Sequence, residues 1–167
     1  DAGTGPNPTY GESADFTSSG PRHTDNALKP DISAPGVNIL SALAASGDDG
    51  TQFSGTSMAS PYTAGAAALV IEAHPSWSAA RVKAALVNTA IAGDVVGYDP
   101  LLAGSGGIRP RRAVSTSGLA SVAGGTSSLS FGYVSNDGPI VQTKKIRIDN
   151  VSGRAITYDL SASFVGG

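Results

Sequence analysis

The sequence predicts an α/β fold, a helix-and-sheet portion built around one long apolar helix and followed by an antiparallel β portion. Three observations predict it. Residues Met58 to Glu72 are rich in Ala and Leu with apolar side chains all round, the composition of a helix buried on every side. Short apolar segments at Phe16, Ile32, Val37 to Leu40 and Gln52-Phe53 precede it and read as strands or extended chain. Late in the chain the apolar period becomes two: Ile146 and Ile148 alternate with charged or polar residues, and Ile156, Tyr158, Leu160, Ala162 and Phe164 do the same.

Taken in order, residues 1–13 are rich in Gly, Pro, Thr and Ser and read as a flexible lead-in. Asp48-Asp49-Gly50 reads as a turn ahead of the long helix. That helix is predicted to begin at about Ser57, because Thr56 and Ser57 are good capping residues. With Ser57 as cap, Pro61 deprives the Ser57 carbonyl of its helical partner and loosens the first turn. His74, just ahead of the helix-stopping Pro75, reads as a residue of the helix C-terminus. A second helix is predicted from the cap Ser78 to about Thr89, since Val82, Ala85, Leu86 and Thr89 share one face. Trp77 is placed to staple it onto the first. Lys144 to Ile148 and Ala155 to Phe164 are expected to pair as an antiparallel hairpin across Asn150 to Arg154, with Ser128 to Val134 as a third strand. The texture divides the chain into residues 1–115 and 116–167.

Composition narrows the function. The 167 residues carry a formal net charge of -2, and the basic clusters Arg109-Pro110-Arg111-Arg112 and Lys144-Lys145 are small, so nucleic acid is not an expected partner. The longest apolar run, Ala64 to Ile71, is far short of the roughly twenty residues that span a bilayer. With no Cys there is no thiol nucleophile or disulfide framework, and the well-separated His23 and His74 offer no zinc spacing. No run of alternating Asp and Asn closed by Glu marks a calcium loop, and no cofactor is expected.

The chemistry concentrates in Gly55-Thr56-Ser57-Met58-Ala59-Ser60-Pro61, which sets a serine where a loop becomes a helix. A helix N-terminus favours the negative charge that develops as a serine oxygen attacks a carbonyl, and the Ser57 backbone amide is a candidate oxyanion donor. The α/β-hydrolase elbow Gly-x-Ser-x-Gly does not apply, because Ala59 stands at its second Gly. His74 lies seventeen residues along the same helix, about 25 Å from Ser57 at the helical rise, which excludes it as a base. His23 falls in the polar, turn-rich Pro21-Arg22-His23-Thr24-Asp25-Asn26, and nothing around it marks a base.

Together with Lys29-Pro30-Asp31-Ile32-Ser33-Ala34-Pro35-Gly36 and Phe16-Thr17-Ser18-Ser19-Gly20-Pro21, this run resembles the subtilisin-like serine proteases, over about residues 10 to 115. Thr17 and Ser19 depart mildly from the family's third element, and residues 101–114 resemble its closing element, altered by Ser105 and Arg109-Pro110. The resemblance implies that residues 1–115 are the C-terminal part of a doubly wound parallel-sheet catalytic domain with Ser57 as nucleophile. Residues 116–167 resemble the start of a fibronectin-III-like domain, an antiparallel β-sandwich left incomplete here. No Asp-Thr-Gly, Asp-Ser-Gly or His-Gly-Thr element and no context for the oxyanion Asn occurs, so the resemblance places the catalytic Asp, His and Asn upstream, outside this chain. It further implies an extracellular or cell-surface serine endopeptidase acting on polypeptides, with the remainder of the parent protease as partner and structural calcium compatible with that parent. The isolated chain is then expected to be inactive. The alternative is a non-catalytic binding or structural module derived from a degenerate member.

Overall fold

The long apolar stretch forms the predicted helix. In the computed structural model, which describes residues 10–122, 127–134 and 138–163, the chain order is β1 (Ile39–Ala42), β2 (Gly50–Phe53), α1 (Thr56–Ala73), α2 (Ala79–Thr89), a 3-10 turn (Ala92–Asp94), α3 (Pro100–Ala103), α4 (Pro110–Val114), β3 (Gly118–Val122) and β4 (Ile146–Asn150). Most of the lead-in and Phe164 lie outside the described residues.

The core forms where α1, α2 and α4 meet. Val70 of α1, Ala85 of α2 and Ala113 of α4 are fully buried, and Val82, Leu86, Ile108 and Leu119 close around them. Ala residues at the contacts let the helix axes approach closely. Yet α1 buries only Ala66 and Val70, while Leu69 and Ile71 remain 50% and 52% exposed. A helix that is apolar all round is thus covered on one face by the described residues.

Helix α2 follows its sequence signals closely. The Ser78 hydroxyl accepts the Arg81 N–H at 3.4 Å, and Val82, Ala85 and Leu86 are buried. Trp77 packs against the core and stacks on His74, ring centroids 3.8 Å apart and planes within 6°. His74 Nε2 in turn donates to the Val114 carbonyl at 2.8 Å. The expected staple therefore joins the end of α1, the start of α2 and the end of α4.

Strands β1 and β2 pair antiparallel, Ile39 opposite Phe53 and Ala42 opposite Gly50. The Leu43 N–H donates to the Asp49 carbonyl at 2.9 Å across the connecting loop, but the turn falls at Ala44-Ala45, where the Ser46 N–H reaches back to the Leu43 carbonyl at 3.4 Å, and not at Asp48-Asp49-Gly50 as expected: Gly50 is already the first residue of β2. Phe16 lies in a turn, where the Thr17 N–H reaches the Ala14 carbonyl. Ile32 precedes Ser33, which forms a single parallel bridge with Gly107.

The late β portion pairs differently from the expectation. β4 is a strand, but its partner is β3, in register Gly118 to Asn150 and Val122 to Ile146, and residues 155–163 form no strand. The cause is local. Asn150 Oδ1 accepts the Ser152 N–H at 3.0 Å and Ser152 Oγ accepts the Arg154 N–H at 3.2 Å, bending the chain, while Val151 N–H continues the β3 ladder onto the Ser117 carbonyl. Ser128 to Val134 also carries no strand; there Ser130 Oγ accepts the Leu28 N–H at 3.0 Å. Among the described residues both ladders are two-stranded and antiparallel, and parallel pairing is confined to the bridges of Glu12 with Val96 and Ser33 with Gly107. No multi-stranded parallel sheet and no sandwich is formed within them.

The glycine-rich segment after α3 locks residues 31–33 in place. Gly104 has φ 60°, and a Cβ there would stand 2.4 Å from Asp31, so only glycine serves. Asp31 carbonyl accepts from Ser105 N–H, Ser33 N–H donates to Gly106, and Ile108 N–H donates to Ser33, each at 2.8 to 2.9 Å.

Candidate active site

Ser57 is positioned by a contact between two glycines. The Gly55 N–H donates to the Gly36 carbonyl at 2.7 Å, which ends β2 and starts α1 beside the Ala34-Pro35-Gly36 segment. A Cβ on Gly36 would approach the Gly55 carbonyl to 2.9 Å, so the side-chain-free residue is a steric requirement. The helix cap is Gly55, not Thr56 or Ser57, and no side chain caps it. This corrects the sequence expectation, with a chemical consequence. A serine at the cap would engage its hydroxyl with an amide two or three residues on, whereas Ser57, second in the helix, keeps its hydroxyl out of capping. The residue is exposed.

The backbone around it is rich in donors. The Met58 N–H bonds the Gly55 carbonyl at 3.0 Å, but the Thr56 and Ser57 amides have no backbone acceptor among the described residues. No acidic side chain occupies the first turn, leaving the positive helix end uncompensated there. Pro61 sits inside the helix and cannot donate to the Ser57 carbonyl, as its position implied.

Neither histidine joins this site by hydrogen bond. His74 caps the far end of α1, its ring held by Val114 and Trp77. His23 is exposed in the turn closed by the Arg22–Asp25 ion pair. The Arg22 guanidinium, with help from the Ala27 amide, lowers the Asp25 carboxyl to about 2. Among the described residues no cluster of three His, Cys, Asp or Glu could hold a metal ion, and no helix is long and apolar enough to cross a membrane.

Two supports of the site join partners that the sequence does not pair, although Asp31 itself lies in the Lys29-Pro30-Asp31 element. Asp31 Oδ2 accepts from Lys29 at 2.6 Å and from Lys83 of α2 at 3.0 Å, tying the approach segment to the second helix. Burial raises the Asp31 carboxyl, but the hydrogen bonds from Lys29 and Lys83 outweigh it and the net shift is downward. Near the C-terminal end of α2, Asn88 Oδ1 accepts the Ala120 N–H at 2.7 Å and fastens β3. Both pairings join residues remote in sequence, and only the fold reveals them.

The subtilase family model matches residues 6–134 of this chain. The chain is similar to the Minor extracellular protease Vpr of Bacillus subtilis (strain 168), 38% identical over an alignment of 164 positions that covers 92% of this chain and 20% of that protein. It is 46% identical over 112 residues to the Subtilisin-like protease SBT4.15 of Arabidopsis thaliana, covering 59% of this chain and 15% of that protein. Against the Subtilisin-like protease SBT1.4 of the same plant it is 47% identical over 100 residues, 52% of this chain and 13% of that protein. The chain therefore spans a fifth or less of the length of these relatives. Its match to the family model covers well over half of its residues, and the chain belongs to the subtilase family.

Proposed function

We propose that this chain is part of a subtilisin-like serine endopeptidase and that Ser57 is its nucleophile. The observation that carries the reading is the second helical position of Ser57, an exposed residue whose hydroxyl does not cap the helix, beside two amides that have no backbone acceptor among the described residues. In the reaction, Ser57 Oγ attacks the carbonyl carbon of a peptide bond while its proton passes to a histidine base. The backbone amide of Ser57 donates to the oxygen that becomes negative, and the positive end of α1 favours that charge. Collapse releases the amine, which takes the proton from the histidine, and leaves an acyl-enzyme ester on Ser57. Water then hydrolyses it by the same steps. The histidine, its orienting aspartate and the asparagine of the oxyanion site come from upstream residues outside this chain. The isolated chain is accordingly inactive.

In this reading residues 1–115 are the C-terminal part of a doubly wound parallel-sheet catalytic domain, and residues 116–167 begin a fibronectin-III-like sandwich. β3 bridges the two, since its Leu119 is buried in the helical core while the strand pairs with β4. The substrates are polypeptides, and the location is extracellular or cell-surface, in keeping with the Bacillus relative described as an extracellular protease. The test is Ser57→Ala in the full-length polypeptide: hydrolysis of a peptide substrate falls by several orders of magnitude if Ser57 is the nucleophile. Turnover near that of the unaltered protein would overturn the assignment.

A further inference from the structure

Residues 22–31, Lys83 of α2 and the stretch 128–132 line an open cavity of about 430 Å³ to which no residue of α1 contributes and which the reaction above does not use. Arg22, Lys29, Lys83 and Lys144 line it, against the two carboxylates of Asp25 and Asp31. Both carboxylates are already engaged, Asp25 by Arg22 and Asp31 by Lys29 and Lys83 together. Lys144 meets no carboxylate among the described residues. Its Nζ donates to the Ser130 carbonyl and lies 5.3 Å from the centre of the Phe131 ring. The lining described thus carries two more cations than anions.

Its hydrogen-bonding capacity has the same bias. Each of the three ammonium groups has three N–H bonds and, among the described residues, one of them meets a protein oxygen. Ser130 Oγ already accepts from the Leu28 and Gly132 amides, so its own proton is left to donate. Donors that line one open space with a surplus of positive charge match a compact anion with several acceptor oxygens. We propose that this cavity is a binding site for a small divalent oxoanion of the phosphate or sulfate class. The anion sits among Lys29, Lys83, Lys144 and the Ser130 hydroxyl, and neutralises the charge excess that the two aspartates leave. In doing so it ties residues 28–31, α2 and the segment around Ser130 together.

The probe is inorganic phosphate, measured by equilibrium dialysis of radiolabelled ion against the full-length polypeptide, with ionic strength held constant by sodium chloride. The expected result is one saturable site with a dissociation constant at or below about 1 mM, displaced by sulfate in excess over chloride. Lys144→Met is expected to weaken it at least tenfold. Lys145→Met, which removes the neighbouring charge outside the cavity, is expected to leave it within twofold, so the two variants separate a site from diffuse screening. Because Lys144 is exposed and holds no carboxylate, its loss is compatible with folding, which circular dichroism checks. Non-saturable binding, or equal weakening by the two substitutions, overturns the proposal. Neither outcome bears on Ser57, so this site and the proposed reaction stand or fall separately.

Discussion

Gly36 and Gly55 meet through one hydrogen bond, Gly55 N–H to Gly36 carbonyl at 2.7 Å, with no room for a methyl group on Gly36. This contact fixes where α1 begins, and with it the place of Ser57 two residues later. Gly36→Ala should push the backbone apart by several tenths of an ångström. Small misplacements of a reacting group can cost about a hundredfold in rate. The variant of the full-length protein is expected to lose between ten- and a hundredfold in kcat/KM while keeping its circular dichroism. Unchanged kinetics would mean that the glycine pair does not position Ser57.

The ion pairs set a pH dependence. Asp25, Asp31 and Asp94 all have carboxyls lowered by cationic partners, Asp94 by hydrogen bonds from Arg109. A carboxyl whose folded value is below its unfolded value of about 4 stabilises the fold fully above that pH. The contribution fades as pH falls through the folded value, about 2 for Asp25. Urea midpoints are therefore expected to fall between pH 5 and pH 2.5. Asp31→Asn should be less stable than the unaltered protein at pH 6, and the gap should narrow with acid. A gap that is constant with pH would show that the carboxylate charge on Asp31 is not what holds Lys83.

Asn88 makes a separable test of the link between α2 and β3. Replacing it by Ala leaves the Ala120 amide without its 2.7 Å acceptor. The site is solvent-exposed, so water compensates in part and the expected loss is about 1 kcal/mol. Denaturant unfolding measures it, and hydrogen exchange at Ala120 should accelerate with it. An unchanged midpoint would remove this bond from the account of how β3 is held.

The uncovered face of α1 predicts behaviour of the isolated chain. Tyr62, Leu69 and Ile71 are all at least 42% exposed on a helix with few polar alternatives. The isolated chain should self-associate or aggregate, and Leu69→Lys should reduce that association. Size-exclusion chromatography with hydrogen exchange measures both. A monomer with strong protection throughout residues 57–73 would contradict the prediction.

The sequence pattern located α2 and its cap well, because Ser78 and the face Val82, Ala85, Leu86 act within one element. The body of α1 was equally legible, while its start was displaced because Gly55, as cap, replaced the hydroxyl residues. β3 was hidden: its two large apolar residues, Leu119 and Val122, stand three apart among Gly118, Ala120 and Ser121, so no alternation announces it. The alternation at Ile156 to Leu160 was real in the sequence, but a period of two specifies faces and names no partner. Leu160 remains 81% exposed there, without a ladder. At the candidate site, the proposal of Ser57 rests on its motif, whereas the Asp31–Lys83 tie depends on residues brought together only by packing.

Whether Ser57 is the nucleophile is tested chemically. The full-length polypeptide is treated with a fluorophosphonate, digested, and its adduct mapped by mass spectrometry, with the isolated chain as control. A serine activated by a histidine base reacts rapidly, whereas a serine without one stays protonated and weakly nucleophilic. A single stoichiometric adduct on Ser57 is expected in the full-length protein, with negligible labelling of the isolated chain. Rapid labelling of a different serine, or of Ser57 in the isolated chain, would contradict it.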